Sequence, residues 1–517
     1  MPSQDEAGHI LSNLKYRELF LEARPWRGYW WKNLVEVNGF YPPFVYCVTG
    51  GLKSLFGPDR FLDNLGISVF VGILSTSSFL TLRVLGFGIA ASVLAPVIIN
   101  IYPSVAALGH SYMLDYPLLA MVSAGIFAIC NWRTRRTLSW ALGAGIILAM
   151  ACLTKQIAVV YLVGVGGIFV LEAIFSSDKR FKKEALIQLG IMALTTALIA
   201  LPYVLYSYRE TAALTEAVKT SLHNEGIYNS FADYLLFYCR DGFRWMMSPL
   251  LMVLFVVSLF ATGLSGHKKL LPVWVSAVVG TLLMCTNKDF PVSTRYIVPA
   301  LMLPACLTAA WLGSLLECKK VVARGAAVVL LLLAVTQYIS YSFCPRPLSG
   351  FSGLNGLSEA MGVGEPDMAV SDISHWAPLP KEEWGYNWAL DEIERRDGNV
   401  PVYLNVLANS YSLNAHTFEL VAKERKSYIQ PTTSRYHTVT GDKIDFNPES
   451  ALYFQWYLIT SGSQGFELLD EDSRLNGKRL QKFLDDSGHF SLESKMRCPD
   501  GSELKLYRQV SSQPQPK

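Results

Sequence analysis

Between residues 64 and 343 the chain is a succession of long apolar runs broken by short clusters of charge. A hydrocarbon core about 30 Å thick needs roughly 20 apolar residues per crossing helix, with about 17–25 tolerated. By that measure the sequence predicts ten spans, at 64–82, 87–102, 114–130, 137–153, 156–175, 185–207, 245–264, 270–286, 293–315 and 322–343. A chain of this kind can be neither a wholly soluble protein nor a disordered one. Only 17% of its 517 residues are charged, against about a quarter in an ordinary soluble domain. The shortage lies in the front of the chain. Residues 346–517 hold 24 Asp and Glu against 18 Lys and Arg, whereas residues 1–345 hold 18 against 27. The expected fold class is a polytopic α-helical membrane protein over residues 1–345, followed by a soluble α/β domain at 346–517, in which strand-like runs (Val400–Val406, Ala451–Ile459, Leu504–Arg508) alternate with helix-like ones (Trp384–Arg396, Leu475–Ser487).

Basic loops fix the expected orientation, because cytoplasmic loops carry an excess of Lys and Arg. Arg133, Arg135 and Arg136 fall in one loop, and Lys179, Arg180, Lys182 and Lys183 in the next but one. Lys268 with Lys269, and Lys319 and Lys320 with Arg324, continue the alternation. Ten spans put all of these on the cytoplasmic side. The outer face then receives residues 1–61, 103–113, 208–244, 287–292 and the carboxyl-terminal domain. That face is periplasmic in a bacterium or lumenal in a eukaryote, and the compact loops favour a bacterial inner membrane. Nothing apolar precedes residues 1–61 to start their export, so this reading expects a further helix ahead of Met1.

Five polar clusters share the expected outer face, and ionisable groups at membrane depth are functional candidates. Asp5-Glu6, with His9, opens a helical stretch over 6–22 in which Ile10, Leu14 and Tyr16 alternate with polar residues, as in a helix lying on a membrane. Acids in a first turn also suit the helix dipole. Asn38-Gly39-Phe40-Tyr41-Pro42-Pro43 is an extended turn, and Trp26, Tyr29, Trp30, Trp31, Phe40 and Tyr41 fit an interfacial belt as well as a sugar platform. Asp115 follows His110-Ser111-Tyr112-Met113-Leu114 and precedes Tyr116-Pro117, where a plain N-cap accounts for the acid but not for its polar neighbours. Lys155, in Leu153-Thr154-Lys155-Gln156, is a lone cation between two apolar helices, open to a snorkelling reading. Asn287-Lys288-Asp289-Phe290 leads to Ser293-Thr294-Arg295-Tyr296, whose arginine can grip a phosphate with two parallel bonds. Acids and bases gathered at one membrane face describe a site for an anionic lipid-linked substrate and a proton-losing acceptor.

The nine cysteines mostly sit in or beside spans, where they pack as small apolar residues. A Cys344–Cys498 bridge is one pairing open to the carboxyl-terminal domain. No phosphate-binding loop, CxxC pair or GxGxxG is present, and no nucleic-acid partner is expected. No cofactor is certain. A divalent cation stays open, since His223 and Glu225 are two ligands without a third.

With these motifs in order, the sequence resembles the polyprenol-phosphate-dependent membrane glycosyltransferases of the GT-C fold, the protein O-mannosyltransferases and aminoarabinose transferases. The resemblance rests on Asp5-Glu6, Tyr41-Pro42-Pro43, Asp115-Tyr116-Pro117-Leu118, Leu153-Thr154-Lys155 and Arg295-Tyr296, across residues 5–340. It implies sugar transfer from a polyprenyl-phosphate donor to a lipid, glycan or protein hydroxyl, with inversion. It also implies Asp5, beside Glu6, as catalytic base, and Asp115 as an orienting acid. Lys155 and Arg295 would meet the donor phosphate, and Tyr41, His110, Tyr116 and Tyr296 the sugar or acceptor. Tyr41 departs from the family, where many members carry His or Lys before the two prolines. The family also has a membrane helix ahead of the Asp-Glu loop. Two rivals stay open: a non-enzymatic lipid or polysaccharide translocator, and an oligosaccharide ligase using a polyprenyl-diphosphate donor. Against the first, no internal repeat is visible and the charges gather at one face rather than the midplane.

Overall fold

A computed structural model describes residues 4–37, 41–222, 230–247, 249–286, 293–343, 384–407, 413–432, 437–440, 443–461, 471–499 and 501–510. The segments 38–40, 223–229 and 287–292, with His223, Glu225 and Asn287-Lys288-Asp289-Phe290, lie outside the described residues, as does Cys344.

The chain divides into two compact units, one of residues 13–218 and 227–378, the other of residues 1–12, 219–226 and 379–517. The larger is helical. It begins within α1 (Gln4–Leu21) and continues through α2 (Gly28–Glu36), α3 (Phe44–Phe56), α4 (Phe61–Val84), α5 (Ile89–Asn100) and α6 (Pro103–His110). Next come α7 (Asp115–Arg135), α8 (Leu138–Cys152), α9 (Ala158–Phe175) and α10 (Lys179–Leu222). A six-residue π-helical stretch (Phe237–Gly242) separates α11 (Phe231–Leu236) from α12 (Phe243–Met246). Then follow α13 (Pro249–Ala261), α14 (Leu264–Lys269), α15 (Leu271–Thr286), a 3-10 helix (Thr294–Leu301), α16 (Met302–Glu317) and α17 (Val321–Phe343).

The ten apolar segments fall in helical structure, with 245–264 divided among α12, α13 and α14 and 293–315 between the 3-10 helix and α16. Among the described residues four helical stretches are by themselves long and apolar enough to cross a membrane: Phe61–Val84, Ala158–Phe175, Lys179–Tyr208 and Thr294–Glu317. A bent pair adds a fifth, since α5 and α6 meet at 66°. Three expectations change. Residues 103–113 are not simply a loop, because Pro103 starts α6 at its first position, where its missing N–H costs nothing. The 208–244 loop shortens, because α10 runs on to Leu222. The span expected at 245–264 narrows to α13, with α12 and the π-helical stretch before it.

Packing in this unit depends on close helix approach. A β-carbon on Gly164 of α9 would lie 2.9 Å from Val275, and one on Gly280 of α15 only 2.2 Å from the Tyr161 ring, so both glycines serve α9–α15 contact, as small residues do between membrane helices. Polar bonds cross the interior too: Ser77 of α4 donates to Ser123 of α7 at 2.8 Å.

One buried polar cluster carries no mark in the sequence reading. Lys53, near the end of α3, and Asp63, in the first turn of α4, are buried and paired at 2.8 Å. Asn13 of α1 donates to the other Asp63 oxygen at 2.8 Å. The Tyr112 hydroxyl lies within hydrogen-bond distance of Asn13 Oδ1, at 3.0 Å, and of the Thr49 hydroxyl, at 2.8 Å. The cluster therefore ties α1, α3 and α4 to the turn that introduces α7.

In the other unit, α18 (Tyr386–Asp397), α19 (Ala415–Glu424), α20 (Pro448–Ala451) and α21 (Glu471–Asp486) pack with a five-stranded sheet. The strands are β1 (Val402–Leu407), β2 (Ile429–Thr432), β5 (Trp456–Thr460), β6 (Phe490–Arg497) and β7 (Glu503–Gln509), in the order β2-β1-β5-β7-β6. β1 is parallel to β2 and β5, and β7 is antiparallel to β5 and β6. β3 (His437–Thr440) and β4 (Lys443–Phe446) form a separate hairpin. Both sheet faces are covered. Leu404, Val406, Trp456, Leu458 and Leu506 meet α18 and α19 residues such as Leu390 and Phe418. Leu407, Tyr457, Ile459 and Tyr507 meet Leu480 and Leu484 of α21. The expected strand at 451–459 starts late, because Asn447 caps the short helix α20 and delays β5 to Trp456. Cys498 is buried in this core.

Replacing Asp63 by Asn leaves the Lys53 ammonium buried without its counter-charge, which costs about 3–5 kcal/mol. Denaturant unfolding of the detergent-solubilised protein is expected to show that loss, and a change below about 1 kcal/mol would contradict the buried pairing.

Candidate active site

Asp115 is the first residue of α7, and Leu114, not Asp115, occupies the capping position. Its side chain is free for a partner from elsewhere. That partner is Lys155, in the connection between α8 and α9, whose Nζ lies 2.5 Å from Oδ1. The Asp115 side chain is 2% exposed and that of Lys155 13%. The lysine is therefore drawn inward to the acid rather than snorkelling to water.

Two aromatic contacts extend the pair. Lys155 Nζ lies 5.2 Å from the centre of the Tyr296 ring, and the Arg295 guanidinium lies 5.6 Å from the same ring. Such geometry attracts a cation to the ring face. Tyr296 is held in turn by its backbone, whose carbonyl accepts the buried Tyr161 hydroxyl at 2.6 Å. Tyr161 stands in the first turn of α9, six residues beyond Lys155, and fits because Gly280 has no side chain. Beside Arg295, the Ser293 hydroxyl is buried with no partner among the described residues.

Two further motifs join through the backbone. Pro42 and Pro43 are buried at the head of α3, and the next N–H, that of Phe44, donates to the Leu153 carbonyl at 2.9 Å. The Tyr41-Pro42-Pro43 segment is thus tied to the strip that carries Lys155. Gln156 donates to the Tyr203 hydroxyl of α10 at 3.1 Å.

The structure therefore brings together Asp115, Lys155, Arg295 and Tyr296, from α7, the α8–α9 connection and the 3-10 helix. Tyr116 is directed elsewhere: its hydroxyl donates to Asn100 at 2.6 Å, bracing the bend between α5 and α6. His110 is the exposed last residue of α6, and Tyr41 is half-buried. Asp5 and Glu6 stand in the first turn of α1, in the smaller unit. Among the described residues no group of three or more His, Cys, Asp and Glu side chains could hold a metal ion.

Residues 19–217 match the profile of the family described as dolichyl-phosphate-mannose-protein mannosyltransferase, a stretch that holds Tyr41, Asp115 and Lys155. Among solved structures, ArnT from Cupriavidus metallidurans in the apo state aligns with a TM-score of 0.52 at 13% identity, over 98% of this chain and 93% of that one. The same protein bound to undecaprenyl phosphate gives 0.56 at 13% identity, over 100% and 95%. No curated protein sequence matches the chain. The protein has the GT-C fold, a polytopic helical membrane protein with a carboxyl-terminal α/β domain. The resemblance drawn from its motifs holds in both comparisons.

Tyr161→Phe removes only the hydroxyl on Tyr296 and is expected to lower stability by about 1 kcal/mol. Gly280→Val, which drives a side chain into the Tyr161 ring, is expected to cost about 1–3 kcal/mol. Denaturant unfolding measures both, and two values near zero would show that Tyr296 is not held in this way.

Proposed function

We propose that the protein transfers one sugar from a polyprenyl-phosphate donor to an acceptor hydroxyl, with inversion, on the outer face of the membrane. The observation that carries this reading is the buried Asp115–Lys155 pair, with Lys155 and Arg295 both near the Tyr296 ring, in a chain with the GT-C fold. It supports a phosphate site, because a lysine ammonium has three donors and Asp115 occupies one.

In the reaction the acceptor oxygen attacks the anomeric carbon from the side opposite the phosphate. The new C–O bond forms as the bond to the phosphate oxygen breaks. The acceptor proton passes to a carboxylate, which we assign to Asp5 with Glu6 beside it. The donor phosphodiester leaves as polyprenyl phosphate, gaining negative charge as the bond breaks. Lys155 and Arg295 meet that charge where it develops, and such stabilisation is a large part of catalysis in a water-poor site. Asp115 holds Lys155 in place, and orients acceptor or sugar hydroxyls with an oxygen not engaged by the lysine. Tyr41 and His110 are assigned to the sugar or acceptor. Tyr296 also keeps its ring near both cations. The acceptor is a lipid, glycan or protein hydroxyl, and the setting proposed is a bacterial inner membrane with the carboxyl-terminal domain periplasmic.

Incubating the purified protein and its acceptor with labelled polyprenyl-phosphate sugar tests the reading. Free polyprenyl phosphate is the expected product, and Asp5→Asn is expected to lower its release by about 10²–10⁴-fold without loss of membrane insertion. Near-normal transfer by Asp5→Asn would remove Asp5 as the base. Release only from a diphosphate-linked donor would make the protein a ligase, and movement of intact donor without release would make it a translocator.

A further inference from the structure

The far end of α7 carries a second polar site. Asp115 and Arg135 bound a 21-residue helix, about 30 Å long at 1.5 Å per residue, close to the thickness of the hydrocarbon core. At the Arg135 end, α7, α9 and the first turns of α10 enclose a cavity of about 250 Å³. Trp132, Phe169 and Phe181 make its aromatic wall, and Arg133, Arg136 and Arg180 bring positive charge.

The three arginines are not equivalent. Arg133 is held by Glu172 through two bonds of 2.8 and 3.0 Å and lies over Phe169. Arg180 is paired with Glu184 at 3.0 Å. Asp178, the third acid, accepts the backbone N–H groups of Arg180 and Phe181 at 2.9 and 3.2 Å. Arg136 has no acidic partner among the described residues. Its guanidinium lies 4.2 Å from the centre of the Phe181 ring, and its Nε donates to the Arg133 carbonyl at 3.2 Å.

The backbone at Arg136 is built to hold that side chain. Its φ is +53°, the left-handed conformation that usually falls to Gly or Asn after a helix. Gln188 donates to the Arg136 carbonyl at 3.1 Å and accepts from Trp132 Nε1 at 2.8 Å. The surroundings suit a lipid. Leu171, Ile174 and Phe175, at the same end of α9, are exposed apolar residues. Negatively charged lipids are attracted to basic segments at the membrane surface.

We propose that this cavity binds the phosphodiester headgroup of an anionic membrane lipid. The phosphate lies on the terminal N–H groups of Arg136, against the aromatic wall, and the acyl chains follow Leu171, Ile174 and Phe175. The site is separate from the Asp115–Lys155 pair, being at the opposite end of α7.

Native mass spectrometry of the full-length protein, released from detergent with phosphatidylglycerol, phosphatidylcholine or inorganic phosphate, reads occupancy directly. Phosphatidylglycerol is expected to bind at least fivefold more tightly than either of the others. Arg136→Gly relieves the left-handed backbone and removes the guanidinium, so it is expected to unfold no earlier without lipid while losing at least tenfold in phosphatidylglycerol affinity. Arg136→Lys, which keeps the charge, is expected to recover part of that loss and provides the comparison should the glycine variant unfold. Unchanged phosphatidylglycerol binding in both variants would overturn the proposal. So would binding of phosphatidylcholine or inorganic phosphate equal to that of phosphatidylglycerol.

Discussion

A carboxylate and an ammonium held together out of water are costly to create and harmful to separate, because removing either leaves the other buried and unpaired. The Asp115–Lys155 pair imposes that constraint on its surroundings. It requires α7 to begin where Asp115 can face inward, and the α8–α9 connection to bring Lys155 to the same point. Arg295 and Tyr296, Tyr161 behind them and Gly280 behind Tyr161 then form a chain of contacts that sets the second cation near the first. Lys53 and Asp63 repeat the device one layer away: an acid at the start of a long helix takes a lysine from another segment. Through Tyr112 that second pair reaches the turn three residues before Asp115. The rigidity of the candidate site is thus inherited from buried charge.

The membrane part was legible because lipid favours apolar helices, and the ten apolar segments fall in helical structure, although among the described residues only four stretches, or five with the bent pair, are long enough to cross by themselves. The partners of Asp115 and Lys155 were not legible individually, since each has an ordinary local explanation as a cap or a snorkelling side chain. They stood out only as clusters expected on one face. Lys53 and Asp63 escaped because Lys53 sits in a short apolar segment and Asp63 just ahead of a span, where a charge reads as a boundary. A rule that flags any acid opening a long span would have found Asp63 as it found Asp115. Tyr161 carried no signal at all. Its role depends on Gly280, about 120 residues away, whose missing side chain gives the ring its place.

In the carboxyl-terminal domain the helices expected at 384–396 and 475–487 correspond to α18 and α21, and the strands at 400–406 and 504–508 to β1 and β7. The helix α19 and the strands β2 and β6 were not anticipated. β6 carries charged residues over much of its length, as suits an outer strand with one side open. β5 was placed too early because Ala451-Leu452-Tyr453-Phe454 is as apolar as a strand, and only the Asn447 cap shows that a helical turn comes first.

In the proposed reaction Asp115 and Lys155 act as one unit in holding the donor phosphate, and the affinity for polyprenyl phosphate reads this out. Titration calorimetry in detergent compares the cost of Lys155→Met in the natural protein with its cost in an Asp115→Asn background. If the two side chains act as a pair, Lys155→Met exposes the phosphate to an uncompensated carboxylate. The affinity loss is then expected to be at least fivefold greater with Asp115 present than without it. Equal losses in the two backgrounds would mean that Lys155 and Asp115 act independently, and would contradict the account.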